Sequence, residues 1–216
     1  MMRQKQQLAE ADSMNARLAQ RAFKLLSTLT LGLALAGGAC QRSEESLPKL
    51  GTVAPFAFID QGAHPFSSLT LRGKPWVGAF FFTRCPTICP KITARMKGLS
   101  EFGAREELDF KLVSFSIDPD NDTPEVLTAY ARKYGLDLTR MTLLRGDSEQ
   151  IRQLSEGTFK LAMAGRPDKN ADHLGMIHSG HLVLVDAEGL LRGHYRSSDD
   201  DEMRRLERDL RRVSKR

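Results

Sequence analysis

Two cysteines, Cys85 and Cys89, stand four residues apart at the end of an apolar run, in the segment FFFTRCPTICP. If a helix begins near Pro86, this spacing puts both sulfurs on one helix face, where they can form a disulfide or share a metal ion. N–H groups at a helix start lower the pKa of a thiol, and the thiolate is both the nucleophile and the metal ligand. The alternative is two buried structural thiols, since free cysteine is often buried. The spacing favours a dithiol site and leaves its chemistry open.

A metal at this pair would need at least one more ligand. Two thiolates are too few for structural zinc, which takes four ligands, whereas soft thiolates with one imidazole suit copper, in particular Cu(I). The chain offers five candidate imidazoles: His64, His173, His178, His181 and His194. Composition alone does not choose among them.

Residues 1–39 have the pattern of a secretory signal, with basic residues, an apolar stretch and then small residues before Cys40. The signal is also complete from Met14, which is an alternative start. The stretch AGGAC resembles the lipobox of bacterial lipoproteins, whose cysteine is lipidated, although Gly37 stands where leucine is usual. We therefore expect a lipid anchor at Cys40, with a cleaved soluble protein or an uncleaved anchor as the alternatives.

Lipidation of Cys40 would leave Cys85 and Cys89 as a matched pair, and an exported protein meets conditions in which they can form a disulfide. We expect residues 40–52 to be a polar tether and residues 53–216 to be the folded domain. The net charge of +5 is concentrated at the N-terminus, where the first 40 residues hold five basic and two acidic side chains. No basic stripe interleaved with aromatics follows, so nucleic acid is not an expected partner.

The domain alternates strand and helix patterns and closes with a two-strand hairpin and a helix. This order predicts an α/β sheet with a parallel part and an antiparallel edge. The final helix, with acids first and arginines later, is expected to be a solvated helix. Ligands of such sheets bind at the carboxyl ends of strands, which is where the cysteine pair falls. The predicted strands are FAFID, KPWVGAFFFT, LDFKLVSFSID, RMTLLRG and the hairpin HLVLVDAEGLLRGHYRS.

Three motifs, TRCPTICP, SIDPDNDTPEVL and MIHSGHLVLVDAEG, occur in the order and spacing of the Sco/SenC family, over roughly residues 50 to 195. The resemblance implies a thioredoxin-like mixed sheet flanked by helices, in a protein that is exported or membrane-anchored. It also implies a copper chaperone, not a turnover enzyme, that helps to build the copper A site of cytochrome c oxidase. The copper ligands carried over by motif are Cys85, Cys89 and His178.

The resemblance further implies that copper, as Cu(I), Cu(II) or both, is the bound ion. The expected partners are the copper subunit of the oxidase and a periplasmic copper donor, with the protein on the periplasmic side of a bacterial membrane. Oxidation of the pair would give a Cys85–Cys89 disulfide and eject copper. Thr87 departs from the family pattern, because many members carry Asp between the cysteines.

His178 is favoured because it lies just before the strand HLVLVD, in a loop that must return beside the cysteine helix. His181 lies inside that strand, and His173 in a polar insertion is a candidate secondary ligand. Asp118 ends a buried strand and is expected to orient His178 or the copper-bearing loop, as carboxylates behind metal ligands do. Its alternative is a role in an Asp-Pro turn. Arg84 is either a cation that lowers the pKa of Cys85 or an ordinary surface residue.

Two other functions compete with copper binding. A thiol–disulfide oxidoreductase would suit the fold, but the usual motif has two residues between its cysteines, and Gly180 stands where a cis-proline is usual. A peroxidase of the peroxiredoxin type would place a threonine three residues before the reactive cysteine, whereas Thr83 is two before Cys85.

Overall fold

The computed structural model describes residues 46–161, 163–164, 177–178 and 180–214, with the backbone alone for 163–164 and 177–178. The predicted signal, Cys40 and His173 lie outside these residues. The described part is one compact unit that begins at Ser46.

Eight strands form one mixed sheet in the order β1-β10-β9-β4-β5-β6-β2-β3. Its centre is parallel, with β4 beside β5 and β5 beside β6, and every other pairing in it is antiparallel. The strands are β1 Gly51–Thr52, β2 Ala57–Asp60, β3 Pro65–Ser67, β4 Trp76–Phe81, β5 Lys111–Ser116, β6 Met141–Arg145, β9 His181–Val185 and β10 Leu190–Arg196. The predicted thioredoxin-like mixed sheet is confirmed, but both edges are antiparallel where one was expected.

A separate two-stranded ladder joins β7, Met163–Ala164, to β8, Ile177–His178. The strands are antiparallel, with Met163 opposite His178. The sequence predicted a loop here, because a two-residue strand is too short to show a periodicity.

The core lies on both faces of the central strands. All six residues of β4 are buried, as expected for a strand that is covered on both sides. Successive side chains point to opposite faces, so Phe80 packs against Phe159 while Phe81 packs against Tyr130. The apolar run before the cysteines is therefore the centre of the sheet.

In the described part of the chain, four α-helices flank the sheet: α1 Ile88–Arg105, α2 Pro124–Tyr134, α3 Ser148–Arg152 and α4 Asp200–Ser214. A π-helical turn, Gln153–Thr158, extends α3. Two capping residues define the ends of α2: the Thr123 side chain accepts a hydrogen bond from the Val126 N–H, and Gly135 closes the helix with a φ of 60°.

The prediction of a solvated final helix was wrong in one respect. One face of α4 is buried through Met203, Leu206 and Leu210. The Tyr195 hydroxyl of β10 donates to the Asp209 carboxylate at 2.9 Å. Most of the charged residues that suggested a solvated helix lie on the outer face of α4, and the apolar residues at helical spacing between them were overlooked.

The fold also begins earlier than the expected boundary at Val53. The Leu47 side chain is buried, and β1 pairs with Leu190 and Leu191 of β10. Residues 47–52 of the expected tether are therefore part of the domain. Among the described residues, no helix is both long enough and apolar enough to cross a bilayer.

Candidate dithiol and metal site

The cysteine pair lies at the carboxyl end of the central strand. Chain residues 82–87 lead from β4 into α1, which places Cys85 just before the helix and Cys89 in its first turn. Cys85 is 8% exposed and Cys89 is fully buried. Both are free thiols, so the structure represents the reduced pair, and the Cys85–Cys89 disulfide stays a prediction.

The Cys85 sulfur accepts a hydrogen bond from the backbone of α1. The Cys89 N–H points at the Cys85 sulfur with an N–S distance of 3.4 Å, and the Thr87 hydroxyl lies 3.9 Å from it. Burial acts to raise the pKa of Cys85, but hydrogen bonds from Cys89, Thr87 and Ile88 outweigh it, and the pKa is lowered overall. Cys85 is therefore the thiol of the pair that ionises first.

Cys89 has the opposite environment. Burial raises the pKa of its thiol, and the adjacent Cys85 sulfur and the Asp122 charge raise it further, against a hydrogen bond with the Phe82 backbone. One thiol of the pair is thus ready to bind or react, while the other holds its proton until a metal or a disulfide replaces it.

Asp118 binds the residue before the first cysteine. Its side chain is fully buried, and its Oδ2 accepts hydrogen bonds from Nη2 and Nε of Arg84 at 2.7 and 3.1 Å. Its Oδ1 accepts one from Asn121 Nδ2 at 2.8 Å. Asp118 therefore contacts the loop that carries Cys85, and its role in orienting that loop stays a prediction. Arg84 is paired with Asp118, and the hydrogen bonds that lower the pKa of Cys85 come from Cys89, Thr87 and Ile88.

A second buried carboxylate, Asp122, directly precedes Thr123, the residue that caps α2. Its side chain accepts hydrogen bonds from the backbone N–H and the hydroxyl of Thr83 and from the hydroxyl of Ser116. The SIDPDNDTP motif carried the signal, because it places three aspartates after a strand that ends beside the cysteines, and two of them, Asp118 and Asp122, are buried. Because turn and helix-capping preferences already explain aspartates at these positions, the motif alone did not predict the contacts of Asp122 with Thr83 and Ser116.

The backbone of His178 lies at the end of β8, two residues before Gly180, which leads into β9. Gly180 approaches the start of α1 closely: a Cβ at this position would lie 2.5 Å from Cδ1 of Ile88. Ile88 is the residue before Cys89. The backbone at Gly180, two residues after His178, therefore lies beside the start of the cysteine helix.

The other described histidines have separate environments. His64 is exposed and contacts Asp60, and the His194 Nε2 lies 2.7 Å from the Phe159 carbonyl oxygen. Burial lowers the pKa of His181, and its Nδ1 is buried without a hydrogen-bond partner among the described residues. Within the described side chains, no three of His, Cys, Asp and Glu are grouped as a metal site.

The donor set nevertheless fits a soft metal ion. Two sulfurs share the start of one helix, with a lowered pKa at the outer one, and Gly180, two residues after His178, lies beside that start. Thiolates with an imidazole suit copper. No peptide bond among the described residues is cis. Gly180, and not a proline, stands where thiol oxidoreductases carry a cis-proline.

Fold and site together define a thioredoxin-like protein with a dithiol at the carboxyl end of its central strand. A family model described as SCO1/SenC matches residues 44–214. The SCO1 protein homolog of Bacillus subtilis is 34% identical over 169 residues, which cover 77% of this chain and 86% of that protein. The chain therefore belongs to the SCO1/SenC family.

Further comparisons agree. A protein of Stutzerimonas stutzeri, named a candidate copper-binding protein, is 34% identical over 152 residues, which cover 70% of this chain and 72% of that protein. The crystal structure of a SCO1/SenC family lipoprotein from Bacillus anthracis is 34% identical with a TM-score of 0.70, covering 79% of this chain and all of that one. A structure of BsSco, a Sco family cytochrome c oxidase assembly protein with a disulfide switch, is 29% identical with a TM-score of 0.69, covering 79% of this chain and 99% of that one.

Proposed function

We propose that this protein is an exported copper chaperone that aids maturation of the copper A site of cytochrome c oxidase. Copper is its cargo, held by the sulfurs of Cys85 and Cys89 and by the imidazole of His178. The observation that carries the proposal is the paired thiol geometry, in which the Cys89 N–H points at the Cys85 sulfur at the start of α1. The relatives named for copper binding and for oxidase assembly support it.

The different environments of the two thiols suit a carrier that must load and release its ion. Cys85, with its lowered pKa and its small exposure, provides the first ligand. Cys89 must lose a proton that burial retains, so its binding completes the site and its reprotonation favours release. His178 is supported by its strand position and by the contact of Gly180 with Ile88.

Copper titration of the full chain tests this function. We expect one copper ion per chain, with binding weakened strongly in Cys85→Ala, Cys89→Ala and His178→Ala. The exposed His64, which lies beside Asp60, offers a matched control, and His64→Ala should bind as the wild type does. Tight binding that survives His178→Ala would contradict the three-ligand site.

A thiol–disulfide reductase acting on oxidase cysteines is the second candidate. It is favoured by the lowered pKa of Cys85, four residues before a second buried cysteine, and a disulfide switch is described for the related BsSco protein. The histidine separates the two functions: His178→Ala should abolish copper loading and leave disulfide exchange intact. Loss of both activities in Cys85→Ala is expected in either case.

We also propose that residues 1–39 are a signal and that Cys40 carries a lipid that anchors the domain on the periplasmic side of the membrane. The relation to a Bacillus anthracis lipoprotein supports this anchor. The partners would be the copper subunit of the oxidase and a periplasmic copper donor. Incorporation of labelled palmitate into the full chain, and its loss in Cys40→Ala, would test it; labelling that persists in Cys40→Ala would contradict it.

A further inference from the structure

Asp122 is a buried carboxylate that the proposed copper site does not use. Its side chain is inaccessible to solvent. Three donors converge on its two oxygens: the Thr83 N–H, at 3.2 Å from Oδ2, the Thr83 hydroxyl and the Ser116 hydroxyl. An ionised carboxylate is an acceptor-only group, so it matches three donors better than an amide or a hydroxyl does.

These bonds join two strand ends. Thr83 follows β4 and lies two residues before Cys85, while Ser116 is the last residue of β5. The backbone N–H of Asp122 is itself held by the Asp118 carbonyl oxygen at 2.9 Å. The Asp122 carboxylate therefore binds the end of β5 through Ser116 and the chain before Cys85 through Thr83.

The local explanation for Asp122 does not account for these contacts. Helix α2 is capped by the Thr123 side chain, which accepts a hydrogen bond from the Val126 N–H. The Asp122 carboxylate is directed to β4 and β5. Burial also raises its pKa, so the fold retains a carboxylate where its charge is unfavourable.

We propose that Asp122 is a positioning residue of the dithiol site, whose carboxylate holds Thr83 and thereby fixes the Cys85 sulfur relative to Cys89. This inference deepens the proposed function and rests on it for its copper measurement only. Asp118 binds Arg84 in the same way, so the loop after β5 contacts both of the residues that directly precede Cys85.

The first test is free of metal and measures amide hydrogen exchange of the full, reduced chain. In Asp122→Ala we expect the amides of residues 83–89 to exchange about tenfold faster, because a buried N–H bond is lost. Asp122→Asn should be intermediate, since the amide oxygen can still accept from the Thr83 N–H. Asp120→Asn, at an exposed position of the same loop, is the matched control and should exchange as the wild type does.

The second test measures copper affinity and the charge-transfer absorption of the copper complex in the same variants. Loss of an outer residue that orients a metal ligand weakens binding by about 10–100-fold, and we expect such a loss with a shifted band in Asp122→Ala. Thr83→Val, which removes one hydroxyl donor, should weaken binding less and should have little further effect in Asp122→Ala.

The inference is overturned if residues 83–89 exchange at the wild-type rate in Asp122→Ala. Equally faster exchange throughout the domain would also overturn it, because the role would then be general stability. If Asp122→Ala does not fold, Asp122→Asn and Thr83→Val decide by the same criteria. Failure of the wild type to bind copper would contradict the proposed function, while the exchange experiment would still decide the role of Asp122.

Discussion

Arg84 donates two hydrogen bonds to one oxygen, Oδ2, of the buried Asp118 carboxylate, and so fastens the residue before Cys85 to the end of strand β5. The parallel pairing of β4 with β5 makes this contact possible, because it brings the loops at their carboxyl ends together. The position of Cys85 thus depends on a neighbouring strand as well as on its own helix.

Replacing Arg84 with Met should lower the free energy of unfolding by about 3 kcal/mol, because it leaves the buried Asp118 charge without its cation. Urea denaturation measures this change. The matched control is Lys74→Met, which breaks the exposed pair of Lys74 with Asp109 and should cost less than about 1 kcal/mol. Equal losses in the two variants would show that Asp118 does not depend on Arg84.

Alkylation should distinguish the two cysteines. Hydrogen bonds lower the pKa of Cys85 and burial raises that of Cys89, so at pH 7 we expect Cys85 to react at least about tenfold faster. As the pH is raised, the alkylation rate of Cys85 should reach its plateau at a pH below the ordinary thiol pKa of about 8.5. Mass spectrometry of the reduced protein after timed iodoacetamide treatment locates the label. Equal labelling of both residues would contradict the assignment.

The stability difference between the wild type and Asp122→Asn should depend on pH. Burial raises the pKa of Asp122, so the folded state holds its proton more tightly than the unfolded chain does. The wild type therefore has its full relative stability below the unfolded pKa of about 3.9 and loses it as the pH rises through the folded value.

Urea denaturation of both proteins at several pH values between about 3.5 and 7 measures this effect. The free energy of unfolding of the wild type, minus that of Asp122→Asn, should fall as the pH rises. Asp120→Asn, an exposed change in the same loop, controls for the loss of a surface charge. A difference that rises with pH would reverse the sign and contradict a buried carboxylate with a raised pKa.

Gly180→Ala should weaken copper binding through His178. The new Cβ would lie 2.5 Å from Cδ1 of Ile88, so either Ile88 or the segment after β8 must move. We expect about a tenfold loss of copper affinity with little loss of Cys85 reactivity.

Gly98→Ala provides the control for this prediction. Its Cβ would meet no described atom within 4 Å, and in the middle of α1 it should stabilise the protein by about 1 kcal/mol. Copper titration and urea denaturation of both variants test the pair. Unchanged copper affinity in Gly180→Ala would contradict the prediction, because it would show that the contact of Gly180 with Ile88 does not affect copper binding by His178.

The sequence predicted the features that local patterns encode. The apolar run KPWVGAFFFT predicted the buried central strand. The cysteine spacing predicted the dithiol at the start of α1. Each of these signals lies within a few residues of the structure that it specifies.

Contacts between distant residues could not be predicted in this way. Asp118 and Asp122 have satisfactory local explanations in a turn and a helix start, yet their side chains hold Arg84 and Thr83 more than 30 residues earlier in the chain. The buried stripe of α4 was missed because charged residues dominate its composition. Only the parallel pairing of β4 and β5 and the packing of α4 on β10 reveal these roles.

The most direct test of the account is electron paramagnetic resonance of the Cu(II) complex, with histidine labelled by ¹⁵N. We predict a thiolate-bound copper signal that shows coupling to a single imidazole nitrogen, and loss of that coupling in His178→Ala but not in His181→Ala. Nitrogen coupling that persists in His178→Ala would contradict a site made of Cys85, Cys89 and His178.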